Sequence, residues 1–168
     1  MTGASTVSRG TDGRGAERRR PRGLLAAAVP LRYAFAALLL ATGVAKFVDL
    51  AGFATVVGTY RLVPETLLFP TALSLAAVEV ALGAWLLAGW RPVRAALAAA
   101  LLHLGYLAWL ALALARGLAI PNCGCFGVFW PRPLTRLTLV EDGVLLVLAL
   151  VLLLAVRRGR AATRATAA

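Results

Sequence analysis

The two cysteines of the chain stand one residue apart, in the run Cys123-Gly124-Cys125-Phe126-Gly127. Two thiols this close form a disulfide, or exchange one with a partner, when their Cα atoms approach within about 7 Å. A Cys-x-Cys bridge closes a smaller ring than a Cys-x-x-Cys bridge, and Gly124 allows the backbone angles that the smaller ring needs. We therefore expect a strained disulfide that is readily reduced, which suits thiol–disulfide exchange.

A structural role for the cysteines stays open as the alternative. A cross-link across so short a loop restrains little of the unfolded chain, yet a loop clip or two reduced, buried thiols would require no chemistry. A metal site is not predicted. Two cysteines and the single histidine, His103, fall short of the four ligands of a tetrahedral centre.

The composition predicts a membrane protein. Hydrophobic residues make up 61% of the 168 residues and charged residues 15%, whereas a soluble domain has about 45–50% and about 25%. The net charge of +11 does not indicate nucleic-acid binding. The arginines flank apolar stretches and cluster at the two ends, as membrane topology requires, and aromatic residues do not interleave with them as a stacking surface would need.

Four apolar stretches have close to the roughly 20 residues that cross a bilayer. The sequence therefore predicts an all-α, polytopic membrane protein, a four-transmembrane-helix bundle. The first helix begins at Leu24 or Leu31 and ends near Phe47, and the others cover residues 67–89, 93–115 and 137–156. Three regions follow: a disordered basic tail at 1–23, the membrane domain at 24–156 and a second basic tail at 157–168.

The distribution of positive charge predicts the orientation. Twelve lysines and arginines lie in the two tails or in and beside the connection between the second and third helices, and five lie in or beside the other two connections. Positive residues stay in the cytoplasm, so both termini are predicted to be cytoplasmic and the connections 48–66 and 117–136 to face outwards. The cysteines then lie on the oxidising side of the membrane. Gly127 would turn the loop back, and Phe126 would settle at the interface.

Five ionisable residues lie within or at the edge of the predicted helices. Glu79 is near the middle of the second helix, where a carboxylate is costly and usually faces the bundle interior or a cavity. His103 lies in the third helix, as an interhelical hydrogen-bond donor or a proton carrier. Lys46 forms an ordinary interfacial pair with Asp49, or lowers a thiol pKa if it lies near the cysteines. Glu141 and Asp142 are expected near the outer surface, where they are simply solvated, hold Arg132 or Arg136, or relay a proton to a thiolate.

Several stretches together resemble the MauE family of methylamine-utilisation proteins, within the DoxX-like group of four-helix membrane proteins. The resemblance covers about residues 31–156. It rests on the cysteine run at 123–127, on Thr42-Gly43-Val44-Ala45-Lys46-Phe47 with Asp49 and Gly52-Phe53, on Tyr60-Arg61-Leu62-Val63-Pro64, and on Glu79 with Gly83.

The resemblance implies a role in maturing methylamine dehydrogenase together with a thioredoxin-like protein, MauD, in the cytoplasmic membrane of a bacterium. On that analogy Cys123 and Cys125 are the redox pair of a thiol–disulfide oxidoreductase that acts on an extracytoplasmic client protein. A membrane quinone near Glu79 or His103 is a further hypothesis for the electron carrier. The alternative is a non-catalytic DoxX-like assembly factor or subunit, in which the cysteines are a structural loop clip.

Overall fold

A computed structural model describes residues 14–166 of the chain, with side chains over residues 28–161. Within that part the protein is all α-helical, and four of its helices are long and apolar enough to cross a membrane. These features confirm the predicted fold class. The helices are α1 (Arg14–Val48), α2 (Leu50–Thr59), α3 (Glu65–Ala88), α4 (Pro92–Ala115) and α5 (Arg136–Thr166).

The first and last helices extend beyond the predicted spans. α1 begins at Arg14, inside the segment predicted to be a disordered tail, and α5 runs on to Thr166. Alanine, arginine and glutamate are good helix formers, so the helical backbone continues where the apolar stretch ends. The apolar spans themselves are Ala28–Val48 and Arg136–Ala161. Residues 1–13 of the predicted tail lie outside the described residues.

The short helix α2 is absent from the sequence prediction, which treats 48–66 as a plain connection. Its ten residues are too few to cross a bilayer, so a search for spans passes over them. The Asp49 side chain caps the helix by accepting a hydrogen bond from the Gly52 N–H at 2.8 Å. Phe53, Val56 and Val57 are buried on its inner face. α2 therefore packs into the protein and covers part of the space between the long helices.

Two glycines allow α1 and α3 to approach closely. A Cβ atom at Gly43 would lie 2.8 Å from Val80 Cγ2, and one at Gly83 would lie 2.8 Å from Leu40 Cγ. Small residues permit such close packing between membrane helices. α1 makes its most extensive contacts with α3, and α4 with α5, whereas contacts between α3 and α4 are few. The bundle thus consists of two helix pairs with looser packing between α3 and α4.

Candidate functional site: a dithiol loop above a membrane cavity

The cysteine loop is folded by its own hydrogen bonds. The Asn122 amide donates to the Gly127 carbonyl at 2.9 Å, and its oxygen accepts from the Gly124 N–H at 2.9 Å. The Cys123 N–H donates to the Arg132 carbonyl at 2.7 Å. Hydrogen bonds on both sides of the cysteines therefore hold the loop in shape, without a disulfide.

Gly124 and Gly127 place the loop against α1 and α2. Both have positive φ angles, 79° and 62°, which other residues adopt only with strain. A Cβ atom at Gly124 would lie 3.0 Å from Val56 Cγ1, and one at Gly127 would lie 3.3 Å from the Ala45 carbonyl oxygen. These glycines give the loop both its shape and its close contact with the helices beneath it.

Both cysteines are free thiols, with their Sγ atoms 3.3 Å apart. Cys125 is the more exposed residue and Cys123 is half-buried. The pKa of Cys123 is lowered to about 6, mainly by the hydrogen bond from the Cys125 thiol. The positive charge of nearby Arg132 also lowers it, by a smaller amount. The same hydrogen bond, with burial of the sulfur on its inner side, raises the pKa of Cys125. The pair therefore holds one proton at neutral pH, and the negative charge is centred on Cys123.

Lys46 joins the cysteine loop to the membrane interior. Its ammonium lies 2.7 Å from Glu79 Oε2 and 2.6 Å from the Cys125 carbonyl oxygen. The side chains of Lys46 and Glu79 are almost fully buried, at 4% and 2% exposure. The Tyr106 hydroxyl donates to the other Glu79 oxygen at 2.5 Å. Glu79 thus has a cation and a phenol as partners, and Lys46 lies against the backbone of the cysteine loop.

Tyr60 holds the other side of the loop. Its hydroxyl donates to the Cys123 carbonyl at 2.8 Å, and burial raises the pKa of Tyr60, so the hydroxyl remains a donor. Neither Tyr60 nor Tyr106 is among the site residues predicted from the sequence, although Tyr60 begins one of the stretches that carry the family resemblance. For Tyr106 a signal was present, because it follows His103 by three residues and so shares its helix face.

The two adjacent carboxylates of α5 have different surroundings. Glu141 pairs with Arg132 at 2.8 Å near the surface, one of the arrangements predicted for it. Asp142 is buried, at 7% exposure, and its Oδ2 atom has no hydrogen-bond partner among the described residues. His103 is also buried, and its Nδ1 donates to the Ala99 carbonyl at 2.9 Å. Because a carbonyl oxygen only accepts, Nδ1 of His103 must carry a hydrogen. In the neutral form of the ring Nε2 is then the hydrogen-bond acceptor.

A cavity of about 390 Å³ lies beneath the loop and between the long helices. One end is polar, where Lys46, Glu79, His103, Tyr106 and Asp142 meet the two cysteines. The remaining wall is mostly apolar and includes Leu38, Leu39, Phe53, Val56, Val57, Leu75, Leu101, Leu102, Trp109, Leu110 and Leu145. The described residues contain no group of three or more metal-ligating side chains. The cavity therefore brings together both thiols and four of the five predicted ionisable residues, leaving out only Glu141.

Comparison with known proteins places this bundle and its loop in a family. Residues 23–155 match the family of the methylamine utilisation protein MauE. The chain belongs to the MauE family. The match runs from the start of the membrane domain almost to its end, so it includes the cysteine loop and every residue that forms the polar end of the cavity.

A curated MauE protein gives the same assignment. The methylamine utilization protein MauE of Paracoccus denitrificans is 35% identical over 120 residues. The alignment covers 71% of this chain and 64% of the Paracoccus protein, so less than two thirds of that relative has a counterpart here. No solved structure matches the chain. This protein is thus a member of the MauE family with four helices long and apolar enough to cross a membrane.

Proposed function

We propose that this MauE family member is the membrane component of an extracytoplasmic thiol–disulfide exchange system. The observation that carries the proposal is the pair of thiols 3.3 Å apart, in which the Cys123 thiol has the lower pKa and Cys125 is the more exposed residue. Such an asymmetric pair suits exchange, because the two sulfurs have different tasks in it.

The exchange starts from the oxidised loop. A thiolate of the partner protein attacks the sulfur of Cys125, the more exposed residue, the Cys123–Cys125 bond breaks, and Cys123 leaves as a thiolate. A thiolate with a lowered pKa is the better leaving group, and Cys123 has that property. The second thiolate of the partner then attacks the partner's first sulfur, which is bonded to Cys125 in the mixed disulfide, and Cys125 is released. The partner gains a disulfide, and both cysteines of the loop are reduced.

The chemistry of the partner follows from that sequence of steps. It presents one accessible thiolate and a second thiol within reach, which is the arrangement of a thioredoxin-fold protein of the MauD kind. The client would be an extracytoplasmic protein that needs disulfides, and the relative's link to methylamine utilisation favours methylamine dehydrogenase. The outward orientation of the loop rests on the excess of arginine in the tails.

Trapping of the mixed disulfide tests this proposal. The full chain in membranes is incubated with a thioredoxin-fold protein whose resolving cysteine is replaced by serine, and cross-linked species are identified by non-reducing electrophoresis and mass spectrometry. We expect the oxidised parent chain to accumulate a mixed disulfide at Cys125, and neither single serine variant to do so, because each lacks the disulfide that the partner thiolate attacks. The double serine variant is the control. Absence of any mixed disulfide, with full client maturation in the double variant, would overturn the proposal.

One observation favours a second candidate function. Tyr60 and Lys46 bind the carbonyl oxygens of the two cysteines rather than their sulfurs, so the shape of the loop does not depend on a disulfide. A non-catalytic assembly factor whose loop docks a partner would need such an anchor. This candidate predicts that the double serine variant still binds its partner and that client disulfides form normally.

A further inference from the structure

The cavity beneath the loop connects the dithiol to the lipid-facing surface of the bundle. Resting on the exchange function above, we propose that this cavity is a binding site for a membrane quinone, which accepts the two electrons of the reduced Cys123–Cys125 pair. Each round of exchange leaves the loop reduced, so a two-electron acceptor must restore the disulfide. An acceptor dissolved in the bilayer would reach the thiols through the cavity.

The wall between α3 and α4 provides the lateral opening. Leu101 lines the cavity and is also 58% exposed on the lipid-facing side. Gly105, one turn further along α4, lines the cavity as well, and a Cβ atom built there would meet nothing within 4 Å. Because α3 and α4 make few contacts with each other, a flat apolar ring with a prenyl tail can pass between the helices.

The volume and the lining suit a quinone headgroup. Small-molecule sites have roughly 300–1,000 Å³ and mostly apolar walls with a few polar groups that fix orientation, and this cavity of about 390 Å³ fits that description. Among the described residues that line the cavity, a charged ligand would find only one cation, Lys46, and that cation already pairs with Glu79. The site therefore favours a neutral ligand with polar atoms at one end.

The polar end offers hydrogen-bonding groups with unused capacity. Asp142 is more than nine-tenths buried, lines the cavity, and has an Oδ2 atom without a partner among the described residues. When protonated it donates to a quinone carbonyl, and when ionised it accepts from a hydroquinone hydroxyl. His103 adds an acceptor at Nε2, because its Nδ1 is held by Ala99. Both redox forms of the ligand thus find partners.

Electrons and protons balance in the transfer. At neutral pH the reduced pair loses two electrons and the one proton that it holds: the Cys125 S–H bond breaks, the Sγ–Sγ bond forms, and water supplies the second proton that the quinone needs. The quinone takes up the two electrons, and its two carbonyl oxygens become hydroxyls by gaining two protons. Asp142 and the Glu79–Tyr106 pair lie at the same end of the cavity as the thiols, where they can pass those protons to the oxygens.

Quinone reduction by the full chain tests the inference. The protein is incorporated into lipid nanodiscs, reduced, freed of reductant and mixed under nitrogen with decylubiquinone. We expect one quinone to be reduced per chain, as both thiols disappear from the mass spectrum. Gly105→Phe fills the cavity wall and should lower the affinity roughly tenfold. Gly143→Phe is the matched control, because Gly143 also has open space around it but does not line the cavity.

Binding is measured separately from electron transfer. In the double serine variant decylubiquinone should still quench the fluorescence of Trp109, which lines the cavity, and Gly105→Phe should weaken that quenching. Thermal unfolding establishes that the phenylalanine variants are folded. Absence of binding, or equal effects of the two phenylalanine variants, would overturn the inference. Mixed-disulfide trapping in the same preparation separates this failure from failure of the exchange function, since that reaction needs no quinone.

Discussion

The two thiols differ because of their immediate neighbours. The Cys123 thiolate receives a hydrogen bond from Cys125, which lowers its pKa to about 6, so at neutral pH it is mostly ionised and below about pH 6 it becomes protonated. Alkylation of Cys123 by iodoacetamide should therefore reach half its maximal rate near pH 6. Cys125→Ala removes the donor and should move this midpoint upwards, towards the roughly 8.5 of an ordinary thiol.

Mass spectrometry of each cysteine over a pH series measures both midpoints. Arg132→Gln is the comparison, because Arg132 acts on Cys123 through its charge and contributes less than the hydrogen bond. In Arg132→Gln the midpoint of Cys123 alkylation should lie between the midpoints for the parent chain and for Cys125→Ala. Identical midpoints for all three proteins would show that the thiols do not influence one another.

The buried ion pair makes a second residue-scale prediction. Removal of one partner leaves an uncompensated charge in the interior, which costs about 3–5 kcal/mol. Lys46→Met should lower the free energy of unfolding by about that amount, and Glu79→Gln by a similar amount. The double variant should lose less than either single change, because neither charge then remains. Reversible unfolding in mixed detergent micelles gives the three values.

An exposed pair provides the control for this cycle. Arg132 and Glu141 are each about two-fifths exposed, and such pairs contribute little to stability. Arg132→Gln should therefore leave the unfolding free energy nearly unchanged. If Lys46→Met were equally mild, the interior around Glu79 would have to contain water that solvates the remaining carboxylate.

The sequence indicates which residues belong to the site, but it does not indicate which of them contact one another in the folded protein. Both cysteines, Lys46 and Glu79 are recognisable because charged and thiol groups are rare in apolar helices. The pairing of Lys46 with Glu79 spans 33 residues and depends on how α1 and α3 cross, which no local pattern determines. The same applies to Asp142, whose burial follows from the rotation of α5 and not from its place beside Glu141.

At the scale of elements, long apolar helices are predictable and short packed ones are not. The predicted start of the second span, residue 67, lies two residues from the observed start of α3 at Glu65. α2 escapes prediction because ten apolar residues in a connection resemble ordinary loop or interface sequence. Its importance comes from packing, since Phe53 and Val56 support Gly124 in the cysteine loop.

The close crossing of α1 and α3 requires glycine, which has no side chain, at positions 43 and 83. A Cβ at Gly83 would lie 3.0 Å from the backbone nitrogen of Leu40 and 3.1 Å from the carbonyl oxygen of Ala36. Backbone atoms cannot move aside, so Gly83→Ala should push α1 away and cost about 1–3 kcal/mol. Thermal unfolding measures the loss.

Gly143→Ala is the matched change, because open space surrounds Gly143 on α5. It should be neutral or slightly stabilising, as alanine favours a helix over glycine. The displacement in Gly83→Ala should also separate Lys46 from Glu79, so its loss should shrink when Lys46 and Glu79 are both replaced. Strict additivity of these changes would mean that the helix crossing does not position the ion pair.

For the whole molecule, the side of the membrane that the loop faces decides whether exchange is feasible. The loop and the α3–α4 turn lie at opposite ends of the membrane-crossing helices, so they must lie on opposite sides of the membrane. The arginine distribution predicts that the turn lies in the cytoplasm. After mild reduction of intact cells, a membrane-impermeant maleimide should therefore label Cys125, which is exposed.

The exposed Arg91 in the α3–α4 turn provides the opposite reporter. Arg91→Cys, made in a chain with both native cysteines replaced by serine, should be labelled only after the membrane is made permeable. The reverse pattern would place the thiols in the reducing cytoplasm, where a disulfide does not persist. Exchange with an extracytoplasmic client would then be impossible, whereas the cavity would remain open to a quinone from the bilayer, so the topology bears on the partner and not on the acceptor.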